Sequence, residues 1–513
     1  MDTASRPSAS AMRTHEAASS SRLCAGFGPR AARSGRIQMT STANSVAWFH
    51  NCEHCARENL MDVIVVGAGP VGMLLAAELK LAGADPLVIE KHDGPSGQPR
   101  ARGIGPLATE ALVRRGLGAE LAEHDEKGRA DKLRDHGSAK GHFASIFKID
   151  QDAQEEPDRR FTLIWQAELE KVLLRYARGL GVEIRYGTEL TELHQDADGV
   201  TANELRADYL VGCDGGRSTV RRLAGFEFPG TPPLMTVRRV VAQVTGELPQ
   251  PGRLDNGTFY YSGGTVATFD FDDHDRHDGP ITAEEMQASI KRVTGADVTV
   301  MNVGDGLRFT DQARQVTDYR RGRVFLAGDA AHVHSPSGGQ GLNLGLMDAV
   351  NLGWKLANGR DGLLDTYHLE RHPVGAAVLH NTRAQSALLR PGPHTDALRD
   401  IISDLMDIPA VVRYFGRMTS GLDTRHDLPY PIDHPLAGTY CPDLHLTYAD
   451  GRRGRLSDLT RTGGLVQIGP PDIVSTGRGD LAAALIRPDG VVAWAVAPGG
   501  SYETLAAARS TWE

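Results

Sequence analysis

The segment that most constrains the fold of this chain is residues 62–91, which read DVIVVGAGPVGMLLAAELKLAGADPLVIEK. The apolar run that ends at Val66 predicts a buried parallel strand, because strands covered on both faces show no alternation. Gly67, Gly69 and Gly72 follow as G-x-G-x-x-G and lead into a helical pattern, after which a second short strand closes the segment. The order strand, turn, helix, strand predicts part of a doubly wound α/β sheet.

The three glycines and an acid downstream indicate a dinucleotide site at this turn. Gly67 makes the tight turn, Gly69 lets the backbone approach a pyrophosphate, and Gly72 lets the helix pack closely on the strand. The helix N-terminus offers free N–H groups and a positive dipole end to the phosphates. Glu90 lies twenty-three residues after Gly67, where a carboxylate accepts ribose hydroxyls, so FAD or NAD fits this site better than NADP.

Length, charge and cysteine usage narrow the protein class further. The chain has 513 residues, which is enough for two or three domains, and its formal net charge of −9 argues against nucleic acid as a partner. The five cysteines are scattered and odd in number, which rules out a disulfide scaffold and suits a reducing cytoplasm. The longest uncharged apolar stretch, 63–77, is broken by glycine and proline and is too short for a bilayer, so no membrane partner is expected.

Residues 1–60 differ in composition from the rest of the chain, with seven arginines, no lysine and only four acids. We interpret this segment as a disordered extension or a misassigned start, because Met61 directly precedes the first strand pattern. An organelle transit peptide is the less favoured alternative. Two histidines and two cysteines crowd into residues 50–55 without a partner cluster downstream, so no metal site is expected.

Two further motifs lie at the ends of predicted strands. Residues 208–222 read DYLVGCDGGRSTVRR, in which a strand ends at Asp214. Residues 322–357 read GRVFLAGDAAHVHSPSGGQGLNLGLMDAVNLGWKLA, in which a strand ends at Asp329 and a glycine-rich turn leads into a helix from about Leu342. Asp329 is thus an acceptor at the carboxyl end of a strand, where open α/β sheets bind ligands. The N–H groups of the turn suit an anion or a negatively charged reduced cofactor ring.

These three motifs, in this order, resemble those of the group A FAD-dependent aromatic hydroxylases, which are single-component flavoprotein monooxygenases. The similarity is strong from Met61 to about Ala357 and points to the branch of aromatic polyketide hydroxylases and rifampicin monooxygenase. It implies an α/β fold with a Rossmann-like FAD-binding domain of the p-hydroxybenzoate hydroxylase type, a β-sheet substrate domain and a C-terminal thioredoxin-like domain. It also implies bound FAD, NADPH or NADH as a transient co-substrate, and O₂.

The resemblance also divides the chain into parts. It implies an FAD-binding domain formed by 61–227 and 321–375, a substrate domain at 228–320, a helical connection at 376–430 and the thioredoxin-like domain at 431–513.

The C-terminal part carries one family motif. Arg487, Asp489 and Trp494 match the R-x-D-x-x-x-x-W ending of the family, although Ala495 stands where a cation usually follows. We therefore expect a structural cap or a dimer contact there rather than a functional tail. Cys441 has no C-x-x-C partner, so thiol redox chemistry is not expected.

Residue by residue, the resemblance implies two groups of cofactor contacts. Those that would hold the ADP half and the phosphates of FAD are Gly67, Gly69, Gly72, Glu90 and Arg100, with Arg102 as the less favoured alternative to Arg100. Those nearer the flavin are Gln166 and Asp329 at the ribityl chain, Asp214 toward FAD and the nicotinamide donor, Pro336 where substrate docks, and Gly341, Leu342 and Asn343 at the ring.

Other polar and aromatic residues near the motifs carry two interpretations. His332 and His334 flank the glycine-rich turn, and local packing or hydrogen bonding is favoured over catalysis, so no catalytic base is assigned. Tyr260 and Tyr261 point to opposite faces of one strand, where core packing is favoured but one of them could face the pocket. Arg314 lies near the substrate or forms a surface salt bridge.

The resemblance implies hydroxylation of a small phenolic substrate, a polycyclic aromatic polyketide, through a C4a-hydroperoxyflavin, by a cytoplasmic monomer or homodimer. An antibiotic-inactivating monooxygenase of the rifamycin or tetracycline type is the first alternative, because fold and chemistry are shared. A non-catalytic FAD- and ligand-binding protein is the alternative of another class. A flavin-dependent halogenase is disfavoured because the sequence around Trp165, LIWQAE, lacks W-x-W-x-I-P.

Overall fold

The computed structural model of the protein describes residues 61–97, 100–136, 140–150, 154–156, 158–271, 279–304, 306–336 and 338–513. The predictions for residues 1–60, including the histidine and cysteine cluster, lie outside these ranges. No helix within the ranges combines the length and the apolar composition that a membrane span requires.

The helices of the described part are α1 Pro70–Leu81, α2 Pro106–Arg114, α3 Gly118–His136, α4 Gln166–Gly179, α5 Thr219–Leu223, α6 Ala283–Thr294, α7 Gln340–Asn358, α8 Asp361–Leu389, α9 Pro393–Leu405, α10 Pro409–Ser420, α11 Leu456–Leu459 and α12 Leu505–Trp512. A short 3-10 turn covers Gly328–Ala330.

The strands are β1 Met61–Val66, β2 Pro86–Ile89, β3 Gly141–Phe143, β4 Ile146–Ile149, β5 Glu183–Arg185, β6 Leu193–Gln195, β7 Val200–Ala202, β8 Leu205–Gly212, β9 Gly230–Thr231, β10 Thr236–Val241, β11 Gln243–Thr245, β12 Gly252–Leu254, β13 Gly257–Ser262, β14 Thr265–Asp270, β15 Thr299–Met301, β16 Gly306–Thr310, β17 Ala313–Gln315, β18 Arg320–Arg321, β19 Val324–Leu326, β20 His332–Val333, β21 His445–Tyr448, β22 Arg453–Arg455, β23 Val466–Ile468, β24 Ile473–Ser475, β25 Ala483–Ile486 and β26 Val492–Val496.

The predicted parallel sheet is present, with the strand order β18-β19-β8-β1-β2-β5. β1 lies between β2 and β8, and the neighbours from β19 to β5 all run parallel. Val63, Ile64 and Val65 of β1 are at most 1% exposed, as expected of a strand covered on both faces. α1 packs against α7 and α4. The Rossmann-like fold that the glycine fingerprint predicted is therefore confirmed.

The parallel arrangement brings the three sequence motifs to one edge of this sheet. Gly67 follows β1, Asp214 lies just beyond β8, and Asp329 lies just beyond β19. These three strands are neighbours in the sheet. Because the carboxyl ends of parallel strands share one edge, motifs that are far apart in sequence meet there.

A second sheet, antiparallel and ordered β12-β13-β14-β10-β16, lies in the region predicted to bind substrate. Successive side chains along each of its strands point to opposite faces of the sheet. On one face Tyr261 joins a hydrophobic cluster with Met286 and Ile290 of α6. Tyr260 points to the other face and lines a large cavity. The prediction that the two tyrosines face opposite sides is confirmed.

The helical connection begins within a long helix. α8 spans 29 residues and contains Pro373, so the predicted boundary between residues 375 and 376 falls inside it. α8 ends at Leu389 because Pro391 keeps Arg390 in an extended conformation, and α9 begins at Pro393 because proline is tolerated at the first position of a helix.

The C-terminal strands form two antiparallel three-stranded sheets, β22-β21-β24 and β23-β25-β26, which α12 follows. Cys441 is 1% exposed, and burial raises the pKa of its thiol to about 12, so it stays protonated at neutral pH. The thioredoxin-like assignment stays a prediction, since strand pairing within these small sheets does not test it.

Candidate active site

A cavity of 1910 Å³ lies at the carboxyl edge of the parallel sheet and reaches the antiparallel sheet. The predicted site residues that line it are Gly67, Gly69, Glu90, Arg100, Gln166, Asp214, Asp329, Pro336, Gly341 and Leu342. Gly72 and Asn343 are not part of the lining. The fold thus gathers residues from every predicted motif around one volume, and their contacts with a cofactor stay predictions.

Two of the fingerprint glycines are required by close backbone contacts within the protein, and the third leaves space for a ligand. Gly67 has a φ of +108°, and a Cβ there would lie 2.6 Å from the carbonyl oxygen of Cys213. A Cβ at Gly72 would lie 2.0 Å from the carbonyl oxygen of Gly67, so this glycine allows α1 to approach the turn. At Gly69 no described protein atom lies within 4 Å of the Cβ position, so the space beside it is open to a ligand.

Glu90 is held beside the glycine turn by two backbone groups. Its Oε2 accepts a hydrogen bond from the N–H of Ala68 at 2.8 Å, and its Oε1 accepts one from the N–H of His92 at 3.0 Å. Each carboxylate oxygen keeps a second lone pair. The carboxylate is therefore fixed in place with acceptor capacity left for ribose hydroxyls, which fits the ADP half of FAD.

The two arginines predicted as phosphate ligands both line the cavity, so position alone does not separate Arg100 from Arg102. The guanidinium carbon of Arg102 lies 5.1 Å from the ring centroid of Trp165, in a cation–π contact. Gln166 begins α4, is 9% exposed, and donates through Nε2 to Oε1 of Glu170 at 3.0 Å. The hydrogen bond to Glu170 orients the Gln166 side chain before the predicted contact with the ribityl chain forms.

Asp214 caps the short helix α5. Its Oδ2 accepts hydrogen bonds from the N–H groups of Thr219 at 2.6 Å and Val220 at 3.1 Å. Its Oδ1 is buried and has no partner among the described residues. A buried acceptor without a partner is costly unless a ligand satisfies it, and Asp214 lines the cavity. This orphaned oxygen fits a bound cofactor that presents a hydroxyl or N–H group.

The glycine-rich turn leads into α7, which begins at Gln340, two residues before the predicted start. Gly338 and Gly339 have φ angles of +81° and +66°, and these left-handed residues let the chain turn sharply into the helix. Asp329, on the 3-10 turn at the end of β19, is exposed toward the cavity. The N-terminus of α7 and this carboxylate therefore border the same space.

Asn343 braces the glycine-rich turn. Its Oδ1 accepts a hydrogen bond from the N–H of Gly105 at 2.5 Å, and its Nδ2 donates to the carbonyl oxygen of Gly339 at 2.8 Å. Its side chain thus links the turn to the residue before α2. This role was not predicted, because it depends on a contact between segments that are distant in sequence.

A buried ionic cluster lies directly behind the 3-10 turn. His332 is fully buried, and its Nε2 lies 2.7 Å from Oδ2 of Asp348. Arg371 donates through Nε to Oδ1 of Asp348 at 2.8 Å, and the N–H of Gly328 donates to Oδ2 at 3.1 Å. Burial disfavours the carboxylate, but Arg371 and His332 outweigh it and hold the pKa of Asp348 below its ordinary value. The prediction that His332 bonds locally is confirmed.

Sequence reasoning missed Asp348, the partner of His332, and Arg371, which pairs with Asp348. The available signal was an acid, Asp348, within an otherwise apolar helical pattern. A buried acid requires a cation or several donors, and the pattern did not show that Arg371 of another helix supplies one.

His334 also forms a local bond, as predicted, but it lines the cavity. Its Nδ1 lies 2.7 Å from the carbonyl oxygen of Ser335. A carbonyl only accepts, so Nδ1 carries the proton and Nε2 is an acceptor. Burial lowers the pKa of His334 to about 4, which keeps the ring neutral at physiological pH.

The C-terminal R-x-D motif docks on α7 and α8. Arg487 donates through Nη1 and Nη2 to the two carboxylate oxygens of Glu370, both at 2.7 Å, and also pairs with Asp489. Asn351 donates to Oδ2 of Asp489 at 3.0 Å, and Lys355 donates to Oε2 of Glu370 at 2.9 Å. Burial lowers the pKa of Lys355 to about 8. The motif has the structural role that was expected of it.

On the substrate side, Arg314 was expected either near the substrate or in a surface salt bridge. Arg314 does not line the cavity, and its Nη1 donates to the carbonyl oxygen of Phe228 at 3.2 Å. Arg239 of β10 does line it, in the same cross-strand row as Ala267 and Tyr260. The signal for Arg239 was a charged residue within the β-rich run TVRRVV, which sequence reasoning did not use.

Comparisons with known proteins agree with this geometry. The family model described as FAD binding domain matches residues 60–382. The 12-dehydrotetracycline 5-monooxygenase/anhydrotetracycline 6-monooxygenase of Streptomyces rimosus is 38% identical, with 88% of this chain and 98% of the relative covered. The rifampicin monooxygenase of Streptomyces venezuelae is 39% identical, with 85% and 96% covered.

A solved structure supports the same relationship. The anhydrotetracycline hydroxylase OxyS of Streptomyces rimosus superposes with a TM-score of 0.77 at 36% identity, and the match covers 88% of this chain and 99% of OxyS. The family match, the relatives and the shared fold lead to one conclusion: this chain belongs to the group A FAD-dependent aromatic hydroxylases and is an FAD-dependent monooxygenase.

Proposed function

We propose that this monooxygenase hydroxylates a phenolic, polycyclic aromatic polyketide of the anhydrotetracycline type, with NADPH or NADH as electron donor. The observation that carries the proposal is the cavity of 1910 Å³, which joins the glycine turn, the N-terminus of α7 and the antiparallel sheet. Ordinary pockets for one ligand measure roughly 300–1,000 Å³, so this one has room for a cofactor and a large substrate together.

The residues at the strand ends fit FAD. Gly69 leaves the backbone open to the pyrophosphate, Glu90 suits the ribose, and Asp214 and Asp329 suit the groups nearer the flavin. When bound, FAD supplies hydride acceptance from the nicotinamide and activation of O₂. The chain itself must bind and orient the substrate and exclude water.

The substrate end of the cavity suits an aromatic ring system with polar substituents. Tyr260, Phe309 and Leu307 give the antiparallel sheet an apolar inner surface, and Arg239 lies among them. Such a surface excludes water from the reacting centre, which protects reactive species from side reactions. A few polar groups within an apolar lining fix the orientation of a ligand.

Relatives named for anhydrotetracycline and rifampicin supply the probes. An antibiotic-inactivating role of the rifamycin type is the alternative within this chemistry, and a non-catalytic FAD- and ligand-binding protein is the alternative of another class. We also propose the domain limits stated above, except the one between residues 375 and 376, which falls inside α8, together with a cytoplasmic location and a monomer or homodimer.

The test is an incubation with NADPH and ¹⁸O₂ in which anhydrotetracycline or rifampicin is the substrate. We expect one ¹⁸O atom in the anhydrotetracycline product, detected by mass spectrometry, and no product without NADPH. Labelling of rifampicin alone would favour inactivation. Recovery of both compounds unchanged from FAD-loaded protein would contradict the proposed substrate class.

A further inference from the structure

We infer that Phe147, on the β3–β4 hairpin, is the stacking platform for the flat ring system of the substrate and so a determinant of specificity. The inference rests on the proposed function and names a residue for it. No sequence motif pointed to this position, because it lies outside all three fingerprints.

The hairpin presents Phe147 to the cavity. Phe147 and Ile149 alternate along β4 with Ile146 and Lys148, and both line the cavity. Lys148 points the other way, since its Nζ donates to the carbonyl oxygen of Ser403 and to Oδ1 of Asp407, both at 2.7 Å. The direction of the Phe147 side chain therefore follows from the pleat of the strand.

Phe147 is left open where its neighbours are covered. Its side chain is 58% exposed, whereas Ile149 on the same face is 5% exposed. The ring of His142 lies 5.0 Å from the ring of Phe147, centroid to centroid, and His142 lines the cavity as well. The two rings are tilted by 59° to each other, so His142 packs beside Phe147, and the Phe147 ring alone offers the open face on which a flat aromatic ligand stacks.

The platform is rigid before any ligand arrives. At the hairpin tip the N–H of Ala144 donates to Oε1 of Gln385 at 3.1 Å, and its carbonyl oxygen accepts from Nη1 of Arg399 at 2.7 Å. Behind the tip, the rings of Phe143 and Phe415 lie 4.4 Å apart. Because α8, α9 and α10 all hold the hairpin, little conformational freedom is lost when a ligand stacks on it.

The hairpin belongs to the substrate end of the cavity rather than to the nucleotide end. Phe143 and Ile146 share a hydrophobic cluster with Val237 of β10, and Phe309 of β16 packs against that cluster. The glycine turn and Glu90 lie instead on β1 and β2 of the other sheet. The flat ligand that meets Phe147 is therefore the aromatic substrate, and the rings of the nicotinamide donor are the competing source of the same chemistry.

The test is a titration of FAD-loaded protein with anhydrotetracycline. Binding is monitored through changes in the absorbance and fluorescence of the flavin. We expect Phe147→Ala to weaken binding by about tenfold, because the stacking surface is lost. Phe147→Trp keeps a flat ring and should stay within about twofold of wild type. Leu369→Ala is the control, because Leu369 is 67% exposed on α8 and does not line the cavity.

The following measurements distinguish failure of this inference from failure of the proposed function. An exposed ring contributes little to folding, so Phe147→Ala should retain the wild-type melting temperature and FAD content. Equal affinity of Phe147→Ala and wild type for anhydrotetracycline would overturn the inference and leave the proposed function standing. A raised KM for NADPH with unchanged anhydrotetracycline affinity would also overturn it and assign the ring to the donor. No binding by wild type would overturn the proposed substrate class and this inference with it.

Discussion

The cavity edge and the interior of the molecule treat polar groups differently. At the cavity edge, Oδ1 of Asp214 and Nε2 of His334 have no hydrogen-bond partner among the described residues. In the interior, Asp348, Asn351 and Lys355 of α7 are fully buried, and each forms a hydrogen bond with a titratable side chain of another element. The molecule thus has polar groups at the cavity that a ligand can satisfy and polar groups along α7 that the fold already pairs.

The difference teaches which polar groups serve binding and which serve the fold. A buried ionic network that is complete holds elements together, and loss of one member leaves charges without partners. A cavity group without a partner gains its hydrogen bond only when a ligand arrives. Substitutions in the two regions should therefore separate loss of stability from loss of ligand affinity.

The largest effect is expected from the interior network. Arg487→Met removes both bonds to Glu370 and the pair with Asp489, and it leaves two buried carboxylates short of a cation. We expect a loss of about 3–5 kcal/mol in the free energy of unfolding, measured by denaturant titration. Arg452→Met, which breaks an exposed pair with Asp450, is the control and should leave stability unchanged. Equal stability of the two variants would contradict the structural role of the motif.

A pair of glycine variants sharpens the contrast within the fingerprint. Gly72→Ala places a Cβ against the carbonyl oxygen of Gly67 and should cost roughly 1–3 kcal/mol of stability, because backbone must move. Gly69→Ala meets no described protein atom and should keep its melting temperature, but we expect about tenfold weaker FAD binding because the Cβ enters the ligand's space. Thermal melts measure the stability of each variant, and FAD titrations measure its cofactor affinity. A destabilised Gly69→Ala together with a Gly72→Ala of wild-type stability would refute this division of roles.

The pH dependence of stability concerns two histidines: His334 lines the cavity, and His426 is buried with its Nε2 3.2 Å from the hydroxyl of Tyr440. Burial lowers the pKa of both His334 and His426 to about 4. In the unfolded chain they protonate near pH 6.5, so between about pH 6.5 and about 4 the unfolded state binds more protons and stability falls as the pH falls. His426→Gln should lower the slope of the free energy of unfolding against pH by about 1.4 kcal/mol per pH unit in this range. Denaturant titrations at several pH values measure this slope. The exposed variant His194→Gln serves as reference, and an unchanged slope in His426→Gln would show that His426 titrates normally.

The smallest effect is expected from the brace at the glycine-rich turn. Asn343→Ala removes the bonds to Gly105 and Gly339 and should cost about 1 kcal/mol of stability, with FAD binding weakened by about fivefold. Asn343→Asp retains the acceptor for Gly105 and should recover part of the affinity. An FAD affinity of Asn343→Ala equal to wild type would show that the turn keeps its shape without the brace.

The sequence predicted the parts of this molecule that depend on local chemistry. Gly67, Gly72 and Glu90 could be read because a tight turn, a close approach and an acid at a set distance leave patterns within thirty residues. The order of motifs then placed Asp214 and Asp329 at one sheet edge, since parallel strands end together. The start of α7 was missed by two residues because consecutive left-handed glycines, not the helical pattern, set it.

The sequence could not show partners that only the tertiary fold supplies. Asp348 meets Arg371 from another helix, and Phe147 faces the cavity because distant helices hold its hairpin. Arg314 was expected near the substrate or in a surface salt bridge, and it instead donates to the carbonyl oxygen of Phe228 and does not line the cavity. These relationships join segments with no shared local pattern, so no periodicity or spacing reports them.

The central claim is that one cavity serves both a reducible flavin and an aromatic substrate. Its most direct test is anaerobic mixing of the FAD-loaded protein with NADPH, with and without anhydrotetracycline, while the visible absorbance of the oxidised flavin is followed. The account predicts slow bleaching of the flavin alone and faster bleaching when the aromatic compound is present. A flavin that NADPH does not bleach in either case would contradict it and favour a non-catalytic binding protein.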